Sequence, residues 1–311
     1  MKSFFNRFAF TILIFFSAGL ALAFPQYFLK IGDFELKGLI VPLIQVIMFG
    51  MGTTMSLDDF ALVLKSPKAV FVGVVFHFII MPIIGFSLAR AFGFAGEIGA
   101  GVILIGCSPS GLASNVMAFI AKANVALSVT VTSISTLLAP FLTPLLMKYL
   151  AGNYIEIDLV AMIIDVAKMV FLPIVLGLIV NKLFRNYKEI IDNILPKLSM
   201  AGIVVIICII TAAGRKSIIE IGGLLFISTL IHNLLGYFLG YQSARLFKLP
   251  EQDCRTIAFE VGMQNGGLAS GIAAKMGKIA TVGLAAALFG PIMNISGSVL
   301  ATYWSKKKIT F

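Results

Sequence analysis

Residues 260–275 read EVGMQNGGLASGIAAK, and the fold turns on how a carboxylate comes to sit there. Glu260, Gln264 and Asn265 fall within six positions of a segment otherwise apolar enough to cross a bilayer. An ionisable side chain inside a membrane span is costly and marks an ion or proton pathway by default. Glu260 is the only carboxylate well inside an apolar span that lacks a basic partner in its own helix. Asp165, by contrast, has Lys168 three positions on and reads as a structural i,i+3 pair. Four residues of the stretch, Gly267-Leu268-Ala269-Ser270, also occur as Gly111-Leu112-Ala113-Ser114.

The rest of the chain decides what kind of span this is. Of 311 residues, 59% are apolar and 12% charged, with a mean hydropathy of +1.02. Soluble domains carry about 25% charged residues, so the composition is that of a polytopic membrane protein. The net charge of +10 comes from Lys and Arg at the ends of apolar runs, where they set topology. No basic patch is interleaved with aromatics, and the charge does not point to nucleic acid. Cys107, Cys208 and Cys254 lack metal spacing and read as small buried hydrophobes.

About 20 apolar residues cross the hydrocarbon core. On that rule ten spans are predicted, at about 8–27, 38–55, 69–89, 98–121, 126–147, 159–181, 196–214, 221–244, 256–274 and 279–304. Their connections are short, leaving no room for a soluble domain. The first run follows Lys2 and Arg7 and ends in Ala21-Leu22-Ala23, like a signal peptide. Nine spans follow it, and it reads as a membrane helix. With the N-terminus inside, 15 of the 24 Lys and Arg residues fall on the inner side, 8 on the outer side, and Lys168 within a span. That bias puts both termini in the cytoplasm, and the lack of a further targeting segment fits a bacterial inner (plasma) membrane.

The halves repeat. Gly111 and Gly267 are 156 positions apart, and the two histidines, His77 in FHFIIMP and His232 in LIHNLLG, are 155 apart. Both offsets pair span n with span n+5. Five is odd, so the second half, 155–311, is inserted upside down relative to the first, 1–154. Such inverted repeats are common among secondary transporters, with substrate and coupling ions at the interface of the repeats.

Span four reads GCSPSGLASN over 106–115. Pro109 cannot donate a backbone hydrogen bond and disfavours helix at Ser108. Span nine has Gly262, Gly266 and Gly267 around its polar cluster. Matching interruptions predict broken helices, whose carbonyls suit a cation and whose half-helix N-termini, near Gly111 and Gly267, suit an anion. Span five supplies Ser128 and Thr132 at i,i+4 on one helical face, and Ser114 and Asn115 follow the first break. With Glu260 this set is rich in oxygen and poor in transition-metal ligands, which implies Na⁺ or H⁺.

Three stretches, GLASNVMAFIAKANVALSVTVTS (111–133), EVGMQNGGLASGIAAK (260–275) and NISGSVLATYW (294–304), resemble the bile acid:sodium symporter family, and the resemblance covers essentially the whole chain. It implies an all-α membrane protein of ten transmembrane helices in two inverted five-helix repeats. Spans 1, 2, 6 and 7 form a panel; spans 3–5 and 8–10 form a core in which broken spans 4 and 9 cross. It implies two Na⁺ ions, the first held by Ser114, Asn115, Ser128, Thr132 and Glu260. The second is held by Glu260, Gln264, the carbonyls of Val261 and Met263, and the side chain at position 77. The implied substrate is an organic anion such as a bile acid, a steroid conjugate or a small pantoate-like carboxylate. It meets Gly111, Leu112, Asn265 and Gly266 at the half-helix ends, with Asn294 nearby.

Two residues depart from the family pattern. His77 stands where relatives often carry Gln; a neutral imidazole can ligate Na⁺ and a protonated one repels it, which makes the second site pH-sensitive. Leu112 replaces the hydroxyl of the common GTASN, so the substrate does not transfer directly from relatives.

The expected activity is therefore symport of an organic anion with Na⁺ by alternating access, in a lipid bilayer, with no enzyme chemistry and no obligate protein partner. Proton coupling through Glu260, or a channel, is the alternative. A remoter one is an intramembrane serine protease using Ser108 or Ser110. Its nucleophile needs a base within hydrogen-bond reach, and the string lacks the glycine expected two residues before the nucleophile.

Overall fold

The computed structural model describes residues 2–55, 66–184 and 188–307. Lys65, Arg185 and Lys308, counted above among the inner-side charges, lie outside these residues. Apolar runs become helices because lipid offers no hydrogen bonds, so each span must satisfy its own backbone. In chain order the helices are α1 (Lys2–Ala23), α2 (Ile40–Thr54), α3 (Pro67–Ala91), α4 (Gly96–Cys107), α5 (Ala113–Ile120) and α6 (Val125–Ala151). They continue as α7 (Leu159–Leu183), α8 (Lys188–Ala213), α9 (Arg215–Leu246), α10 (Glu251–Gly262), α11 (Gly266–Lys275) and α12 (Gly283–Lys306).

Among the described residues, 7 helices are long and apolar enough to cross a membrane: α2 with the turn before it, α3, α6, α7, α8, α9 and α12. The protein is thus a helical, multi-pass membrane protein. One small exception to the all-helical expectation joins α1 to α2, a hairpin pairing Lys30–Ile31 with Phe34–Glu35 and turning at Gly32, φ +58°. The Ala21 that looked like a cleavage signal is buried against Cys208 and Ala212 of α8, so this first helix packs as part of the bundle. All three cysteines are free and buried, as expected.

Two groups of helices, joined where α6 lies along α7, can be traced in the packing. Helix α2 lies along α7 and α8, and α1 lies along α8; α3, α4, α6, α9, α10 and α12 pack on one another. The expected fourth and ninth spans are each two helices, α4 with α5 and α10 with α11. Proline alone does not explain the first break, since α3, α6, α7 and α12 run through Pro82, Pro140, Pro173 and Pro291. At Pro109 the chain has an alternative to helix. Gly111 N–H donates to the Met263 carbonyl at 3.1 Å and Asn265 N–H donates to the Pro109 carbonyl at 2.8 Å. Ser110 and Gln264 thereby form an antiparallel bridge. Helix ends leave backbone groups without partners, and here the two broken helices supply each other's. Such an approach needs glycine, because a Cβ on Gly111 would stand 2.6 Å from the Gln264 carbonyl oxygen.

Candidate ion and substrate site

The helix break carries Ser114 and Asn115 to the start of α5, facing Ser128 and Thr132 one turn apart on α6. Glu260, in the last turn of α10, lies among them and is fully buried. Its Oε1 lies 2.5 Å from both the Ser114 and the Ser128 hydroxyls, and its Oε2 lies 2.8 Å from Thr132 Oγ1. Ser128 Oγ is also 2.8 Å from Asn115 Oδ1, and Ser114 Oγ is 2.8 Å from the Gly111 carbonyl. All five residues expected at the first cation position therefore converge. Each hydroxyl carries one proton, yet the three hydroxyls make five oxygen–oxygen contacts of 2.8 Å or less. More lone pairs than protons meet in this pocket. The donor set is all oxygen, the choice of a hard cation.

Residues expected at a second position are arranged otherwise. His77 of α3 is fully buried, with Nδ1 at 2.9 Å from the Glu260 carbonyl and Nε2 at 2.8 Å from the Ser108 carbonyl. Gln264 Nε2 donates to the Val261 carbonyl at 3.0 Å, and the Met263 carbonyl accepts the Gly111 N–H described above. Asn233 of α9, absent from the expected site, donates from Nδ2 to the Gly262 carbonyl at 2.8 Å and accepts from Ser296 at 2.5 Å. Asn233 stands 156 positions after His77, the offset of the two GLAS motifs, and like His77 it holds a carbonyl at a helix break. His232 instead bonds the Met81 carbonyl at 3.0 Å.

Beside the crossover lies a cavity of about 440 Å³. Its wall includes all five residues expected to meet substrate, Gly111, Leu112, Asn265, Gly266 and Asn294, and it extends towards Thr54 and Leu195. The lining is mostly apolar, with Met48, Met51, Ile203 and Met293, and among the described residues includes no Lys, Arg or His. Positive potential at this wall comes from backbone: the first turns of α5 and α11 begin there. Asn265 Oδ1 caps α11 by accepting from Leu268 N–H at 2.9 Å.

On the far side of the crossover the two helix groups are in contact. A Cβ on Gly271 of α11 would stand 2.6 Å from Ile44 Cδ1 of α2 and 3.0 Å from Met169 Sδ of α7. Beyond it, Lys275 of α11 pairs with Asp165 of α7 at 3.5 Å. The sequence pointed to Lys168 as the partner of Asp165; the ion pair bridges two helix groups instead of two turns of one helix. Both side chains are about a third exposed or more, so Asp165→Asn is expected to change unfolding free energy by about 1 kcal/mol or less. A thermal melt shows this, and a large drop in melting temperature would contradict it.

The geometry does not support a serine protease. Ser108 Oγ donates to the Leu104 carbonyl at 2.8 Å, and among the described residues neither histidine bonds a serine hydroxyl.

Comparison with known proteins places the chain among transporters. The model of the sodium bile acid symporter family matches residues 41–221. The chain belongs to this family. It is therefore a membrane transporter, not an enzyme, of a family whose members couple transport to sodium. The sodium-dependent transporter YocS of Bacillus subtilis is 42% identical over 93% of this chain and 88% of its own length. Two relatives are probable sodium/metabolite cotransporters of chloroplasts, both called BASS1. The Arabidopsis thaliana protein is 34% identical over 84% of this chain, and the rice protein (Oryza sativa subsp. japonica) is 32% identical over 83%. The chain spans only 65% and 63% of the lengths of these plant proteins.

Proposed function

We propose that this member of the sodium bile acid symporter family carries an organic anion across the plasma membrane together with Na⁺, by alternating access. The observation that carries the reading is the proton-poor oxygen pocket at Glu260: a desolvated carboxylate and three hydroxyls whose close contacts outnumber their protons. Na⁺ held by Ser114, Asn115, Ser128, Thr132 and Glu260 supplies the missing positive charge. It offsets the cost of a bare carboxylate in the bilayer. Of the two ion positions implied by the family resemblance, this reading rests on that one.

In this scheme the chain has ten membrane helices in two inverted halves, 1–154 and 155–311, with cytoplasmic termini. Helices α1, α2, α7 and α8 form the panel and the other eight the core. Na⁺ ties α5, α6 and α10 together and so fixes the crossover. The anion then meets the first turns of α5 and α11 at Leu112, Asn265 and Gly266, with Asn294 beside it and its apolar body against the methionines of the cavity. The cavity reaches Thr54 and Leu195, on the cytoplasmic side in this topology, while Gly271 and the Asp165–Lys275 pair close the other side. Rocking of core against panel exchanges the two.

The test is binding of a panel of anions, a bile acid, a steroid sulfate and pantoate, measured at fixed pH in Na⁺, in K⁺ and in choline. Binding in Na⁺ alone supports symport; equal binding in all three salts, changing when the series is repeated at a second pH, supports proton coupling through Glu260. Ser128→Ala removes one oxygen ligand and is expected to raise the Na⁺ concentration for half-saturation about tenfold, equivalent to about 1.4 kcal/mol. A Na⁺ titration of the melting temperature reads this directly, and an unchanged midpoint would exclude Ser128 from the ion's shell.

A further inference from the structure

The second cation position implied by the family resemblance does not fit this chain, and His77 is the reason. A helix break serves a cation by leaving carbonyls without partners. Here the carbonyls at the end of α10 are already faced by other groups: Glu260 by His77 Nδ1, Val261 by the Gln264 amide, Gly262 by the Asn233 amide and Met263 by Gly111 N–H. On the opposing break, Cys107 accepts from Thr143 and Pro109 from Asn265 N–H, while Ser108 faces His77 Nε2; the neutral ring's single N–H serves either Ser108 or Glu260.

The imidazole is no freer than the carbonyls. Its nitrogens lie 2.9 and 2.8 Å from two carbonyl oxygens belonging to different broken helices. In either tautomer one nitrogen donates to a carbonyl and the other lies against the second, so neither faces an open coordination position. Among the described residues the buried side-chain acceptors left here without partners are Ser110 Oγ and Gln264 Oε1. The one carboxylate near these two neutral oxygens is Glu260, already engaged by Ser114, Ser128 and Thr132, and together they do not make a second shell for a hard cation.

We infer that His77 is a resident strut filling the second cation position, so that this chain binds a single Na⁺, at Glu260. The inference rests on the sodium reading of the Glu260 cluster. The ring joins α3 to the ends of α4 and α10, the crosslink that an ion would otherwise provide. Co-transport of a monovalent anion with one Na⁺ then moves no net charge.

The experiment counts ions rather than turnover. Purified full-length protein in detergent is equilibrated with ²²Na⁺ over a range of concentrations. The expected result is saturation at about one ion per chain with a Hill slope of about 1. His77→Gln exchanges the ring for an amide whose oxygen is a hard ligand, and is expected to bind about two ions with a steeper slope. Two ions in the native chain overturn the inference, as does one ion in a His77→Gln variant that melts cooperatively. If that variant does not fold, the count on the native chain decides alone. Absence of any saturable binding in the native chain overturns the Glu260 reading first, and this inference with it.

Discussion

Glu260→Ala is expected to abolish Na⁺-dependent stabilisation and Na⁺-dependent uptake. The carboxylate contacts all three hydroxyls of the pocket, at 2.5, 2.5 and 2.8 Å, and is the only formal negative charge among them. Without it, Ser114 still donates to the Gly111 carbonyl and Ser128 to Asn115. The pocket then has enough protons for its lone pairs and no charge to pair with an ion. A ligand at one hundred times its dissociation constant stabilises a protein by about 2.7 kcal/mol, and this increment is the part to be lost. Stability without Na⁺ changes less, because removing a buried charge offsets the small cavity left behind. A variant whose melting temperature still rises with Na⁺ as the native chain's does would place the ion elsewhere.

Gly111→Val is expected to disable transport by opening the crossover. A Cβ at this position stands 2.6 Å from the Gln264 carbonyl oxygen and 3.1 Å from its carbon, both backbone atoms that no rotamer change can move aside. Separating the two breaks loses the Gly111–Met263 and Asn265–Pro109 hydrogen bonds. It also displaces α5, and with it Ser114 and Asn115, relative to Glu260. Overpacking of this kind costs about 1–3 kcal/mol, and the displaced ligands cost the ion site besides. Gly290→Ala is the control: nothing lies within 4 Å of its Cβ position, so it is expected to melt like the native chain. Equal melting and Na⁺ response in the two variants would show that close approach at Gly111 is not required.

Much of this arrangement was legible in the chain because lipid makes the rules strict. Apolar length predicts helices, and most expected spans match one within a few residues, since backbone groups in hydrocarbon have no other partners. The breaks were legible for a local reason, a proline flanked by Gly106 and Gly111 in one half and three glycines in the other. The Glu260 cluster followed from helical spacing and an unpartnered carboxylate. What escaped were pairings between distant segments. Asp165 has a basic neighbour in its own helix, yet its ion pair is with Lys275, 110 positions away. Sequence spacing within a helix cannot reveal a partner brought in by packing.

Asn233 is a different case, since the signal was present. The GLAS motifs are 156 positions apart, and that offset carries His77 to Asn233, not to His232. The neighbouring His232 matches His77 in residue type but not in offset. Asn233 and His77 share the task instead, each holding a carbonyl at the end of a broken helix. Which groups face the carbonyls of an unwound segment depends on side chains from other helices, and spacing along the chain does not show it.

The central claim, an ion bound in the oxygen pocket at Glu260, is tested most directly by the melting temperature of the native protein. It is measured in NaCl and in choline chloride at the same pH and ionic strength. The account predicts a higher melting temperature in Na⁺, rising with concentration until the site saturates. Identical melting in the two salts at every concentration would contradict it.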